Sequence, residues 1–320
     1  MQRFKKILFV CDHDGGMPAV TDHVRALAER NNAEVTLLDV VEGERGDLAR
    51  LLSILPGARA EEVETQVEAA LLDRLEEVAA TFRVEGRIAT CLIERGTPFL
   101  KIIQTVLRDD YDLVIKGAEG DGVRSFFGGT DMHLMRKCPC PVWILSSEAP
   151  PRLYRVLAAV DPDPEDRERD ALNHTVMELA TSLAARNDAS LDVINVWRVQ
   201  EESALRHGLI KIPEADIDAI VAAQEGQSAW RLNTLLTDFP DSDGRRRVVH
   251  EKGIPGDVIP AHVEAEDIDT VVMGTIGRSG VAGFFIGNTA ETILGRVRCS
   301  VITVKPPHFV SPVVHPDSAA

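Results

Sequence analysis

The chain has 320 residues, a formal net charge of −16, 44% hydrophobic and 27% charged residues. That length accommodates about two domains of ordinary size, and the composition is that of a globular chain rather than a disordered or fibrous one. The excess of negative charge excludes nucleic acid and anionic membrane as principal partners, because a polyanion is repelled at long range.

The N-terminal Met1-Gln2-Arg3-Phe4-Lys5-Lys6 runs into Ile7-Leu8-Phe9-Val10, too short for a signal-peptide core and followed by Asp12 and Asp14. No apolar stretch approaches the roughly 20 residues that span a bilayer, so a cytoplasmic protein without membrane insertion is expected. Short apolar runs then alternate with helical segments. Strands are predicted near 6–11, 34–41, 86–93, 111–116 and 141–146, with helices near 18–31, 61–82, 97–108 and 130–136. Within 61–82 the positions Val63, Val67, Ala70, Leu71, Leu75 and Val78 trace a helical stripe. Ala149-Pro150-Pro151 interrupts both helix and sheet and reads as a linker. Beyond it, strands are predicted near 154–160, 190–196, 246–251, 269–273 and 300–304, with helices near 168–186, 214–237, 256–265 and 289–296. The run Arg245-Arg246-Arg247 reads as the solvated start of a strand, and the stretch after Lys305 as a mobile or draped tail.

The second half repeats the first. Lys6–Asp12 matches Arg155–Asp161, each an apolar strand ending in aspartate, and Glu94-Arg95-Gly96-Thr97-Pro98 matches Glu251-Lys252-Gly253-Ile254-Pro255. Tyr111–Gly117 matches Ile268–Gly274, and Cys140–Ile144 matches Cys299–Thr303, in the same order. The chain is therefore an internal duplication, read as domains at 1–148 and 152–306 with a tail at 307–320. Strand–helix alternation with buried strands gives the fold class: two tandem doubly wound (Rossmann-like) α/β domains. Each is expected to hold a five-stranded, mostly parallel sheet with helices on both faces. The five cysteines form no CxxC pair and do not suggest a disulfide framework. Cys138-Pro139-Cys140 reads as small residues at a helix-to-strand corner, with a metal-binding or redox pair as the alternative.

In open parallel sheets, ligands bind beyond the carboxyl ends of the strands where strand order reverses. Asp161 ends the first strand of the second copy. The loop after its fourth strand runs from Gly274 through Gly277 and Arg278 to Gly287-Asn288-Thr289 and enters a helix. Glycines let backbone N–H groups approach a phosphate, and a helix start adds partial positive charge. Asn288 suits the N-cap, with Glu291 completing a capping box; a plain turn into a helix explains the glycines equally well. The loop is neither a Walker A motif nor the dinucleotide GxGxxG.

The spacing Gly274-x2-Gly277-x9-Gly287-Asn288, with an aspartate ending the first strand, resembles the ATP-binding signature of the universal stress protein family. The duplication, Gly287-Asn288-Thr289-Ala290-Glu291 and both Gly-x-Pro corners resemble tandem members of the E type, over nearly the whole chain. The resemblance implies that Asp161 meets adenine, that Ala159 and Val160 line its pocket, and that Val196 supplies a backbone contact. It implies that Met273 and Gly274 border the ribose and that Gly277, Gly287, Asn288 and Thr289 hold phosphates. ATP is the implied ligand, with Mg2+ left open, and Arg278 is a candidate for added charge. The first copy departs from the pattern: its loop from Gly120 to Gly128 is two residues shorter, carries Glu119 and Asp121, and places Asp131 in the following helix where a phosphate would sit. Lys116 stands in place of Met273, so weak or no nucleotide binding is expected there.

No cluster demands catalysis. His133 and His174 read as helix-surface or packing residues, and Asp161-x-Asp163 as a turn between Pro162 and Pro164 rather than a metal site. The implied function is a nucleotide-responsive stress regulator or scaffold with an unknown protein partner; any ATP hydrolysis is expected to be slow and incidental. The alternative is a carrier of a non-nucleotide ligand or a protein-interaction module, to which Leu205–Pro213, with Leu209, Ile210 and Ile212 in an expected loop, would contribute an apolar surface. In this family the last strand commonly pairs with a partner domain's counterpart. Val142–Leu145 and Val301–Val304 are therefore expected to pair within the chain as a pseudo-dimer, sheltering two apolar edges; a further homodimer stays open.

Overall fold

Runs such as Ile7-Leu8-Phe9, each residue at most 1% exposed, are buried on both faces, as parallel strands under helices must be. A computed structural model of the chain describes residues 4–11, 18–42, 57–82, 89–119, 126–200, 202–207, 212–275 and 286–314. The first copy supplies β1 (Lys6–Val10), α1 (Pro18–Asn31), β2 (Glu34–Val41), α2 (Gly57–Ala80), β3 (Thr90–Arg95), α3 (Pro98–Asp109), β4 (Leu113–Gly117), α4 (Gly129–Lys137) and β5 (Val142–Leu145). The second supplies β6 (Arg155–Ala159), α5 (Arg167–Asn187), β7 (Ser190–Trp197), α6 (Glu202–His207), α7 (Glu214–Thr237), β8 (Arg246–Lys252), α8 (Pro255–Ala265), β9 (Thr270–Gly274), α9 (Asn288–Leu294) and β10 (Ser300–Val304). The α/β class and the five strands per copy are as expected.

The chain divides into two compact units. One comprises the chain up to Arg152 together with the segment from Arg298 onward; the other holds most of 153–297. In the first unit the strand order is β3-β2-β1-β4-β5-β10, parallel except for the last pair. Val301, Ile302 and Thr303 of β10 lie antiparallel to Ile144, Trp143 and Val142 of β5, so the two last strands do pair. In the second unit β9, β6, β7 and β8 are parallel neighbours in that order. The first strand of each copy thus lies between its second and fourth, which puts the order reversal beside it.

The duplication extends to hydrogen bonds. The Asp112 carboxylate opens β4 and accepts the N–H groups of Lys5 (2.6 Å) and Lys6 (3.1 Å). Asp269 opens β9 and accepts those of Tyr154 (2.6 Å) and Arg155 (2.7 Å). Two residues earlier, Asp110 and Asp267 turn through φ of 54° and 47°, the left-handed region that aspartate tolerates better than most residues. The Gly-x-Pro corners place Pro98 and Pro255 at the start of α3 and α8, where a missing N–H costs nothing.

Several expectations need adjustment. The third strand lies at Thr90–Arg95 rather than 86–93, and 83–88 fall outside the described residues. Leu205 belongs to a helix, α6, not to a loop; Leu209 and Ile210 lie outside the described residues. The helix is held by Arg206, which bonds Glu202 one turn back (3.1 Å) and Asp218 of α7 (2.9 Å). Among the described residues of α2 the buried ones are Leu75 and Ala79, whereas Ala70 is exposed. The linker is anchored by His23, whose Nε2 lies 2.7 Å from the Pro150 carbonyl. The tail is draped as far as it is described: Ser311 donates to the Lys137 carbonyl (2.8 Å) and Val313 is buried. Among the described residues no helix is long and apolar enough to cross a membrane.

Removing the repeated strand-opening acceptor tests the symmetry of the two copies. Asp112→Ala and Asp269→Ala are each expected to cost about 1.5–3 kcal/mol in urea unfolding, the range for hydrogen bonds to a charged group. The Asn variants, which keep one acceptor, lose less.

Candidate functional site

The carboxyl ends of β9, β6 and β7 lie side by side. Ala159 is in register with Met273 on one side and Ile194 on the other. Val160 continues the ladder by donating to the Ile194 carbonyl (3.0 Å) and accepts from Asn195 Nδ2 (3.0 Å). Val196 follows in β7, and Gly274 ends β9. The start of α9 is drawn to the same edge, because the Gly287 N–H donates to the Thr275 carbonyl (2.8 Å). Ala159, Val160, Asp161, Val196, Met273, Gly274, Gly287, Asn288 and Thr289 therefore share one edge of the second unit; Gly277 and Arg278 lie outside the described residues.

The Asp161 backbone is clamped. Its N–H donates to Asn173 Oδ1 (2.8 Å), and its carbonyl accepts from Asn173 Nδ2 (3.0 Å) and Arg169 Nε (2.6 Å). The carboxylate projects into solvent, 69% exposed, with the Arg169 guanidinium as its ion partner. Asp163 is engaged by Arg231 (3.2 Å) and Arg169 (3.5 Å), so its carboxylate serves to bind α5 and α7 to the turn after β6. Asn173, Arg169 and Arg231 are the neighbours that sequence reasoning missed. They lie 12 or more positions away on helices, except Arg169 at eight, and carry no local pattern.

Gly274 has a packing reason as well as a candidate binding one: a Cβ there would lie 2.7 Å from Leu172 Cδ2 of α5. At α9 the expected capping box gives way to a different start. Gly287 is the N-cap, Asn288 the first helical residue, and the N-cap residue makes no side-chain cap bond. The Gly287 carbonyl takes the first helical hydrogen bond, from the Glu291 N–H (2.9 Å), which moves the boundary one residue back. The first-turn N–H groups then have no acceptor inside the helix, and Asn288 and Thr289 are exposed.

The equivalent end in the first unit is filled from within. The Asp131 Oδ2 accepts from the N–H groups of Gly128 (2.9 Å) and Glu119 (2.9 Å), and Glu119 Oε2 accepts from the Thr130 N–H (3.2 Å). Lys116, 1% exposed, neutralises both acids at 3.1 Å from Glu119 and 3.2 Å from Asp131. Gly128 makes room for this, since a Cβ there would lie 2.4 Å from Glu119 Oε2. Burial pushes the Asp131 carboxyl above its ordinary range against the pull of Lys116. Where Asp131 is buried in α4, the second copy has Ala290 in α9. Asp12, Gly120 and Asp121 lie outside the described residues.

The histidines considered above have packing roles. His133 stacks on Phe99 at 4.1 Å, and burial lowers its pKa. His174 ties α5 to the end of α7 through Asp238 (2.9 Å) and contacts the Asp170 carbonyl of its own helix (2.9 Å). Burial opposes its charge, but these partners together raise its pKa.

A double-mutant cycle reads the internal charge cluster. Lys116→Met leaves two acids without their cation and is expected to cost about 3–5 kcal/mol. Adding Asp131→Ala, which with Met at 116 reproduces the second copy's pair Met273 and Ala290, should recover at least about 1 kcal/mol of that loss in urea unfolding. Strict additivity would show that the two side chains do not act together.

Comparison with known proteins agrees with this organisation. The model of the Universal stress protein family matches twice, over residues 3–146 and 153–305. Universal stress protein E of Escherichia coli (strain K12) is 33% identical over 225 residues, 69% of each chain. Universal stress protein E of Salmonella typhi is 34% identical over 226 residues, 69% of this chain and 70% of the other. Among solved structures, a putative universal stress protein from Pseudomonas aeruginosa UCBPP-PA14 superposes with a TM-score of 0.71 at 22% identity, covering 96% of this chain and 95% of the other. One from Archaeoglobus fulgidus DSM 4304 gives 0.59 at 17%, covering 93% and 96%. Matched over both of its repeats, the chain belongs to the universal stress protein family, as a tandem member with two copies of the family's domain in one polypeptide.

Proposed function

We propose that the protein is a cytoplasmic stress-response protein that binds ATP through its second domain and acts as a nucleotide-responsive regulator or scaffold. The observation that carries this reading is the contrast between the two helix starts. In the first unit the donors at the start of α4 are taken by Asp131 and Glu119; in the second, α9 begins on Gly287, which has no side chain to cap it, and Ala290 stands where the first copy has Asp131. The residues present fit a nucleotide. Asp161 offers an exposed carboxylate to the adenine amino group, beside Ala159 and Val160, and Val196 offers its backbone. Met273 and Gly274 border the ribose, while Gly277, Gly287, Asn288 and Thr289 hold phosphates, with Mg2+ left open.

The role assigned to this site is binding. A ligand shifts a conformational equilibrium only through unequal affinity for two states, and here the inequality would come from contacts that the phosphates make with the loop between Gly274 and Gly287. An adenine contact also competes with Arg169 for Asp161, which ties nucleotide occupancy to the position of α5.

Native purification followed by denaturation and mass spectrometry should release about one ATP or ADP per chain, a stoichiometry expected when the equivalent helix start in the first unit is already filled. Gly287→Asp places a carboxylate at the α9 start and should abolish retention with the far-UV spectrum unchanged. Asp161→Ala, which removes one adenine hydrogen bond, should weaken ATP about tenfold by calorimetry. A protein that is empty and ignores added ATP, or that releases a lipid-like molecule, would sink the reading; the latter would favour a carrier.

A further inference from the structure

Outside the nucleotide edge, two sulfurs are held against each other at the end of α4. Cys138 is the C-cap residue, its N–H donating to the Leu134 carbonyl (2.9 Å), and it is fully buried. The chain bends at Pro139 and Cys140, and the bend returns Cys140 Sγ to 3.6 Å from Cys138 Sγ. Both are free thiols, Cys140 the more exposed. Among the described residues no third His, Cys, Asp or Glu joins them to make a metal-binding group, whereas a structural zinc site takes four ligands. A disulfide requires the sulfurs to close only about 1.5 Å further.

The surroundings are built around this corner. Lys305, at the end of β10, is 8% exposed; its ammonium donates to the Met135 carbonyl of α4 and lies 5.2 Å from the centre of the Phe309 ring. Burial pushes Lys305 down to about 7, partly offset by Cys138. Ser311 bonds the last carbonyl of α4, at Lys137 (2.8 Å). The segment after β10 is thus fastened to the helix turn that leads into the two cysteines.

We propose that Cys138 and Cys140 form a thiol–disulfide site, which a small disulfide such as oxidised glutathione closes into an intramolecular bond. The sulfur of Cys140, the less buried residue of the two, loses its proton to water and attacks the small disulfide, whose S–S bond breaks and releases one thiol. Cys138 then loses its proton to water and attacks the Cys140 sulfur of the mixed disulfide, and the second small thiol leaves. Two protein thiols are oxidised by two electrons, and one small disulfide is reduced to two thiols. The hydrogen bond with Cys138, then burial, hold the Cys140 thiol well above its ordinary range, and the Asp112 carboxylate acts in the same direction. Closure is therefore slow at neutral pH and accelerates as pH rises, because thiolate is the attacking species.

The full chain is equilibrated anaerobically with graded ratios of reduced to oxidised glutathione, alkylated and digested with trypsin. The peptide from Cys138 to Arg152 contains both cysteines and no other. At oxidising ratios it should be two hydrogens lighter and refuse alkylation. Cys138→Ser should instead stop with one glutathione on Cys140. A wild-type peptide that stays fully alkylatable at every ratio, or that halts as a mixed disulfide, overturns the proposal.

Discussion

The first N–H groups of a helix have no acceptor within it, and in this fold the loop after the fourth strand delivers a helix start to the edge where ligands bind. Much of what distinguishes the two copies follows from how that need is met. The first copy supplies the acceptors itself, as Asp131 and Glu119, and then has to bury Lys116 to balance them. The shorter loop, Gly128 and the lysine in β4 are parts of one solution. The second copy has Met273, Ala290 and a longer loop, and so lacks that set of two acids and a lysine. Two domains of common descent thus begin the same helix with different side chains.

The second constraint is the strand edge. Val142–Leu145 is fully buried and apolar, and an uncovered edge of that kind invites aggregation. It is covered by β10, which belongs to the second copy in sequence and to the first unit by its contacts. The register brings Ile302 opposite Trp143, and the Ser300 hydroxyl accepts the Ser146 N–H at 3.0 Å. Lys305 and Ser311 extend the attachment past the strand.

Most of the architecture was legible because it rests on local periodicity and on repetition. The strand runs, the Gly-x-Pro corners and the aspartates at 112 and 269 announce themselves twice. The pairing of the last strands followed from their apolar character together with the family resemblance. The candidate binding edge was legible in part, since strand ends and glycine spacing carry it. What sequence did not show are side-chain partners brought from a distance: Asn173 beneath Asp161, Arg231 on Asp163, Lys305 on the Met135 carbonyl. A change of one residue in helix phase moves such partners to another face, and no local pattern records them. The misplaced cap at Asn288 has a similar cause, because the bond from Gly287 to Thr275 that sets the helix start depends on tertiary placement.

The placement of β10 also bears on the history of the gene. Because the terminal strand of one copy completes the sheet of the other, a break at the linker near Pro150 would leave the first product dependent on re-pairing with the second. Fusion keeps the two edges at equal numbers and at high effective concentration, so each half can diverge while the strand that covers it stays at hand.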